Sequence, residues 1–66
     1  MEEIKGIVED IIYKNEDNGY TIAKLDDSKE TITVVGYIPY ISEGNNLKLT
    51  GEWVNHPQFG AQFKIS

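Results

Sequence analysis

Sixty-six residues make one small domain, and a chain of this size buries only about 60% of its unfolded surface. It has no cysteine for a disulfide or a thiolate-metal staple, and no apolar run approaches the roughly 18 residues of a membrane span. Eleven acids against six lysines leave a net charge of −5 with no arginine, a balance that repels phosphates and argues against an autonomous nucleic-acid-binding module.

In chain order the pattern reads as five short strands without a helix. The first runs from about Glu3 to Lys14. Ile4 and Val8 share one parity, Ile7 and Ile11 the other, so a bulge or a long curved strand serving two parts of a barrel is expected, with Gly6 at the bend. Ile4, Ile7, Val8, Ile11 and Ile12 also fit a helical period, but β-branched residues dominate and Gly6 interrupts the run, so a strand is favoured.

Asn15-Glu16-Asp17-Asn18-Gly19 is a turn in which Asn-Gly suits positive φ. Tyr20 to Leu25 is the second strand, Asp26 to Lys29 the next turn, and Glu30 to Gly36 the third strand. Tyr37 to Gly44 lacks alternation and contains Pro39, so it reads as a connection. Leu47 and Leu49 alternate with Lys48 and Thr50, and Gly51, Trp53 and Val54 continue that strand to a polar turn, Asn55-His56-Pro57-Gln58, with Gly60 beyond it. Ala61 to Ile65 closes the hairpin.

Five strands with the longest connection between the third and fourth fit an all-β, antiparallel oligonucleotide/oligosaccharide-binding (OB) barrel with a short strand 3–4 connection. An SH3-like barrel is the rival, and spacing alone does not separate the two. The expected core includes Ile4, Val8, Ile32, Val34, Leu47, Leu49 and Phe63.

The strings NEDNGYTIAKL, TITVVGYIP and LTGEWVNHPQFGAQFKI resemble the N-terminal domain of the RecD-like ATP-dependent DNA helicases, which are related to the exodeoxyribonuclease V alpha subunit. The resemblance runs from Gly6 to Ile65 and rests on Asn18-Gly19-Tyr20-Thr21, Val35-Gly36-Tyr37 and Gly51-Glu52-Trp53-Val54 with His56-Pro57. It implies an OB-like domain, residues 1–66, at the front of a longer helicase that unwinds DNA from 5′ to 3′ in repair and recombination. The chain carries no phosphate loop, and no lysine directly follows a glycine, so ATP and magnesium are expected to serve the motor of the parent protein. The expected partners are the remainder of the helicase chain and, as a candidate, single-stranded DNA. A monomeric domain without a cofactor or metal of its own is expected. The N-terminus, MEEIKG, lacks the layout of a signal peptide, so a cytoplasmic protein is expected.

The charge is uneven. Residues 1–30 hold nine acids and four lysines, whereas residues 31–66 hold two of each, with the only tryptophan, both phenylalanines and the only histidine. Contact is therefore expected at the loop Asn55 to Gly60, through His56 and Phe59 helped by Trp53 and Lys64. Each carries a plainer reading beside this one. Trp53 shares the parity of Leu47 and Leu49, which makes it a core or rim residue; in the core its removal would cost roughly 3–5 kcal/mol. His56 has no second ligand for a metal and reads as a turn histidine bonded to nearby backbone. Phe59 either packs over the barrel end or docks a partner. Tyr20 and Lys24 would face nucleic acid if their parity points outward, but Ile22 shares that parity, so an inward face is equally open. Tyr37 and Tyr40 read as packing tyrosines with wet hydroxyls, and the acids of the turns as solvated.

Overall fold

A computed structural model describes residues 1–66. Five strands are formed: β1 (Glu2–Lys14), β2 (Tyr20–Asp26), β3 (Thr31–Tyr37), β4 (Asn46–His56) and β5 (Gly60–Ile65). They close into a barrel in the order β1-β2-β3-β5-β4. Four seams are antiparallel, and the ring closes by a parallel seam in which Val34 faces Phe63 and Val35 faces Lys64. This is the OB layout, with antiparallel pairing everywhere except that closing seam. No helix of the chain is long and apolar enough to cross a membrane.

β1 works as two strands in one. Glu2 to Ile7 pair with β4, and Ile7 to Lys14 pair with β2. Register shifts between Val8 and Asp10 and between Ile11 and Tyr13 explain the parity switch: Val8 is buried, Ile11 packs on the core from the other parity, and Ile12 is turned out. Gly6 sits where β1 passes from one partner to the other. A Cβ there would come 2.5 Å from the Asp26 carbonyl oxygen, so no other residue lets β2 approach so closely.

The buried cluster is Val8, Ala23, Leu25, Ile32, Val34, Ile38, Ile41 and Phe63, with Ile4, Ile11, Leu47, Leu49 and Ile65 packed against it. Ile38 and Ile41 come from the β3–β4 connection, which is pinned to β1 by Val8 N–H to Asn45 O and Gly44 N–H to Val8 O, both 2.8 Å. The connection thus plugs the barrel without a helix. One boundary differs from the sequence reading. Asn55 and His56 belong to β4, pairing with Ala61 and Gly60, so the tight turn is only Pro57 to Phe59.

Candidate functional site

Alternation in β2 buries Thr21, Ala23 and Leu25 and turns Tyr20, Ile22 and Lys24 outward. The parity left open by Ile22 is thereby resolved: the isoleucine lies on the outer face. On β3, Ile32 and Val34 point in and Thr33 and Val35 point out. Val35 is nonetheless only 7% exposed, because its register partners Ile22 and Lys64 flank it on that outer face. Gln62 of β5 is also nearly buried on this side. The outer surface of β1, β2 and β3 therefore carries an apolar strip of Ile12, Ile22 and Val35, with Gln62 of β5 beside it.

A groove of about 310 Å³ lies on that strip, lined by Ile12, Ile22, Lys24, Thr33, Phe59 and Gln62. Phe59 is 68% exposed, yet its position is fixed locally. The His56 Nδ1 accepts the backbone N–H of Gln58 at 3.0 Å and of Phe59 at 3.2 Å. The two rings lie against each other, centroids 4.8 Å apart and planes 34° apart. His56 thus ties the three-residue turn down and holds the phenylalanine ring ready at the groove.

Of the residues singled out in the sequence, Lys24 and Phe59 share the groove, and His56 positions Phe59. Lys64 stands beside Val35 on the same outer face, with Glu52 opposite it on β4. Tyr20 pairs with Tyr37 one outward row away from Ile22 and Val35. Trp53 belongs elsewhere. It is opposite Phe63 on the inward parity, 45% exposed at the rim, and meets that buried ring edge-on at a centroid distance of 5.4 Å and an angle of 77°.

A family model described as the OB-fold domain of the ATP-dependent DNA helicase YrrC matches residues 1–66. The chain belongs to this family. No solved structure matches it.

As an OB-fold domain of a DNA helicase, the chain presents its groove on the β2–β3 face and beside the β4–β5 loop, the parts of an OB barrel that most often meet a ligand. None of the six glycines is followed by a lysine, so the chain carries no phosphate loop of the Gly-Lys type, and its elements are all strands. No group of three or more His, Asp or Glu side chains converges to hold a metal. The turn acids are already engaged in part. Asp26 Oδ1 accepts the N–H of Ser28 at 2.8 Å, and Asp27 Oδ1 accepts those of Glu30 at 2.8 Å and Lys29 at 2.9 Å. The Glu30 bond foremost, then that of Lys29, holds the Asp27 carboxyl below its ordinary value.

The sequence reading missed Ile12, Thr33 and Gln62. Ile12 left a signal: of two adjacent isoleucines in a strand only one can face inward. Thr33 and Gln62 left none, since their place in the groove follows from the β3–β5 seam.

Proposed function

We infer that the domain is an accessory module of a RecD-like helicase that unwinds DNA from 5′ to 3′ in repair and recombination, and that its groove receives a base of single-stranded DNA. The observation that supports this reading is the groove itself. An exposed phenylalanine held in place by His56 stands over Ile12 and Ile22, with Lys24 at the edge and Lys64 on the same face. Stacking on such a ring contributes about 1–3 kcal/mol per base without demanding a sequence. Two lysines suit one or two phosphates, not a long tract. The net charge of −5 makes the contact weak in isolation, so it matters where the motor already keeps the strand close and the local concentration high. In this reading ATP and magnesium act on the motor, and the rest of the helicase chain is the standing partner.

A purely protein-docking barrel is the second reading, favoured by one feature: Glu52 faces Lys64 on a chain whose net charge is −5. A titration of the ¹⁵N-labelled domain with oligothymidylate at low salt separates the two. Base stacking predicts shifts centred on Ile22, Lys24, Thr33, Phe59 and Gln62 that fade with salt at a slope of about −0.7 per phosphate contacted. In the full-length helicase, Phe59→Ala should then weaken single-stranded DNA affinity by roughly 5-fold or more. Silence of those resonances at low salt, with unwinding lost on Phe59→Ala, would transfer the groove to a protein partner.

A further inference from the structure

A second concavity lies where β2 begins and β3 ends, where the Asn15–Gly19 loop meets the β3–β4 connection. The cleft is about 310 Å³, and Tyr37, Pro39 and Tyr40 line it together with Glu16 and Asp17. Its walls are stitched to each other. Asn15 Oδ1 accepts the N–H of Asp17 at 2.9 Å and of Asn18 at 3.4 Å, and the Asn15 carbonyl accepts that of Gly19 at 2.8 Å. The Ile38 N–H donates to the Gly19 carbonyl at 3.3 Å, joining loop to connection. Tyr37 rests on Gly19 so closely that a Cβ there would come 2.5 Å from its ring.

Both tyrosines keep much of their surface open to solvent. Tyr37 is 65% exposed and Tyr40 93% exposed, and Tyr40 has a φ of 62°, a backbone region that penalises a bulky side chain. A glycine would satisfy that backbone at lower cost. The tyrosine gains nothing from burial in return, so its place is unexplained by stability.

We propose that this cleft binds an extended, proline-rich protein segment carrying a basic residue. Tyrosine faces beside a proline match the flat rings of a polyproline II helix, which is already ordered and loses little entropy on docking. Prolines bring no N–H that would need an acceptor, which suits a cleft whose loop carbonyls of Asn15 and Gly19 are already engaged. Glu16 and Asp17 take part in no ion pair; the one salt bridge of the chain joins Lys48 to Glu3. Against the single cation in the lining, Lys14, they leave the cleft net acidic, which selects an arginine or lysine on the ligand. The same charge turns phosphates away, so DNA is not its occupant. A second copy of this chain does not fit either, because its two prolines, Pro39 and Pro57, stand alone.

The test is a titration of the ¹⁵N-labelled chain with a synthetic peptide whose prolines recur every third residue and are followed by an arginine. Control peptides replace every proline by alanine or the arginine by glutamate, and oligothymidylate is a third control. Saturable shifts at Gly19, Tyr37 and Tyr40 are expected, with either control peptide at least about tenfold weaker. The E16K/D17K chain should bind the arginine peptide about tenfold more weakly and lose its preference over the glutamate peptide. Tyr40→Ala, at a residue outside the core, should weaken binding while leaving the rest of the spectrum unchanged. Equal binding of the alanine peptide, cleft shifts with oligothymidylate, concentration-dependent shifts without peptide, or no saturable shift at all would each overturn the proposal.

Discussion

The groove at Phe59 lies on the outer face of β2 and β3, the cleft beside Tyr40 lies where the Asn15–Gly19 loop meets the β3–β4 connection, and the two are made in different ways. The groove is floored by strand residues that alternation turns outward, Ile12, Ile22 and Thr33, and a single loop ring is held over them by His56. The cleft is built almost wholly from two loops, and its character comes from what those loops carry, tyrosines and acids. The groove has Lys24 in its wall, and the cleft has Glu16 and Asp17. The one barrel thus carries a groove with a lysine in its wall and a cleft whose lining is net acidic.

Both sites rest on one core, so removing the core should erase the difference between them. Phe63 is fully buried and sits on the closing seam opposite Val34. Phe63→Ala should lower stability by about 3–5 kcal/mol, a large share of what a chain this short possesses, and both sites should disappear together in a urea melt followed by NMR. A loss under about 1 kcal/mol would mean that the seam holds without it. Trp53→Ala should cost less, about 1–2 kcal/mol: its ring is half in solvent and contributes an edge-to-face contact with Phe63 in place of a filled cavity. The larger loss expected of a core tryptophan is corrected by that exposure.

The barrel was far more legible in the sequence than either site. Parity alone located the bulged first strand, because Ile4 with Val8 and Ile11 on the other parity leave no regular strand able to bury all three. The outward parity of β2 was not legible: its inward set includes Thr21 and Ala23, and its outward set includes Ile22, so hydrophobicity pointed both ways. Asn55 and His56 looked like a turn since both are polar and precede Pro57, but backbone pairing to Ala61 and Gly60 does not depend on side-chain polarity. Ile38 and Ile41 are core residues of an irregular segment, three apart, where no strand period exists to reveal them. The cleft needed the pairing of Tyr20 with Tyr37, a long-range register that brings the Asn15–Gly19 loop to the connection.

Two exposed aromatics sharpen the contrast, since each should be separable from stability. Phe59→Ala should change the unfolding free energy by no more than about 0.5 kcal/mol, because the ring is largely in solvent. Tyr40→Gly should go further and stabilise the chain by roughly 0.5–1 kcal/mol, as the left-handed backbone loses its steric penalty and the greater freedom of an unfolded glycine offsets part of the gain. Matched chemical melts of the two variants check this. If Tyr40→Gly destabilises the chain, the tyrosine belongs to the fold and the contrast between a strand-built and a loop-built site weakens.

The smallest effect concerns an acid that the fold does use. Asp27, in the β2–β3 turn, accepts the N–H groups of Glu30 and Lys29, whereas the carboxylates of Glu16 and Asp17 make no such bonds. Those backbone donors favour the charged form, so its pKa in the folded chain lies below the ordinary 3.8. A group lowered on folding stabilises the native state above its unfolded value, and that contribution drains away as pH falls through the folded one. Asp27→Asn retains an oxygen acceptor but cannot ionise. As pH falls from above the ordinary 3.8 through the lowered folded-state pKa, its melting temperature should fall less steeply than that of the parent chain, while the proline-peptide titration at neutral pH stays unchanged. An identical acid limb in the two proteins would show that the turn bonds do not couple to folding. A changed peptide affinity would show that the acids of the two turns are not independent, and the division between acids spent on the fold and acids left for a ligand would fail.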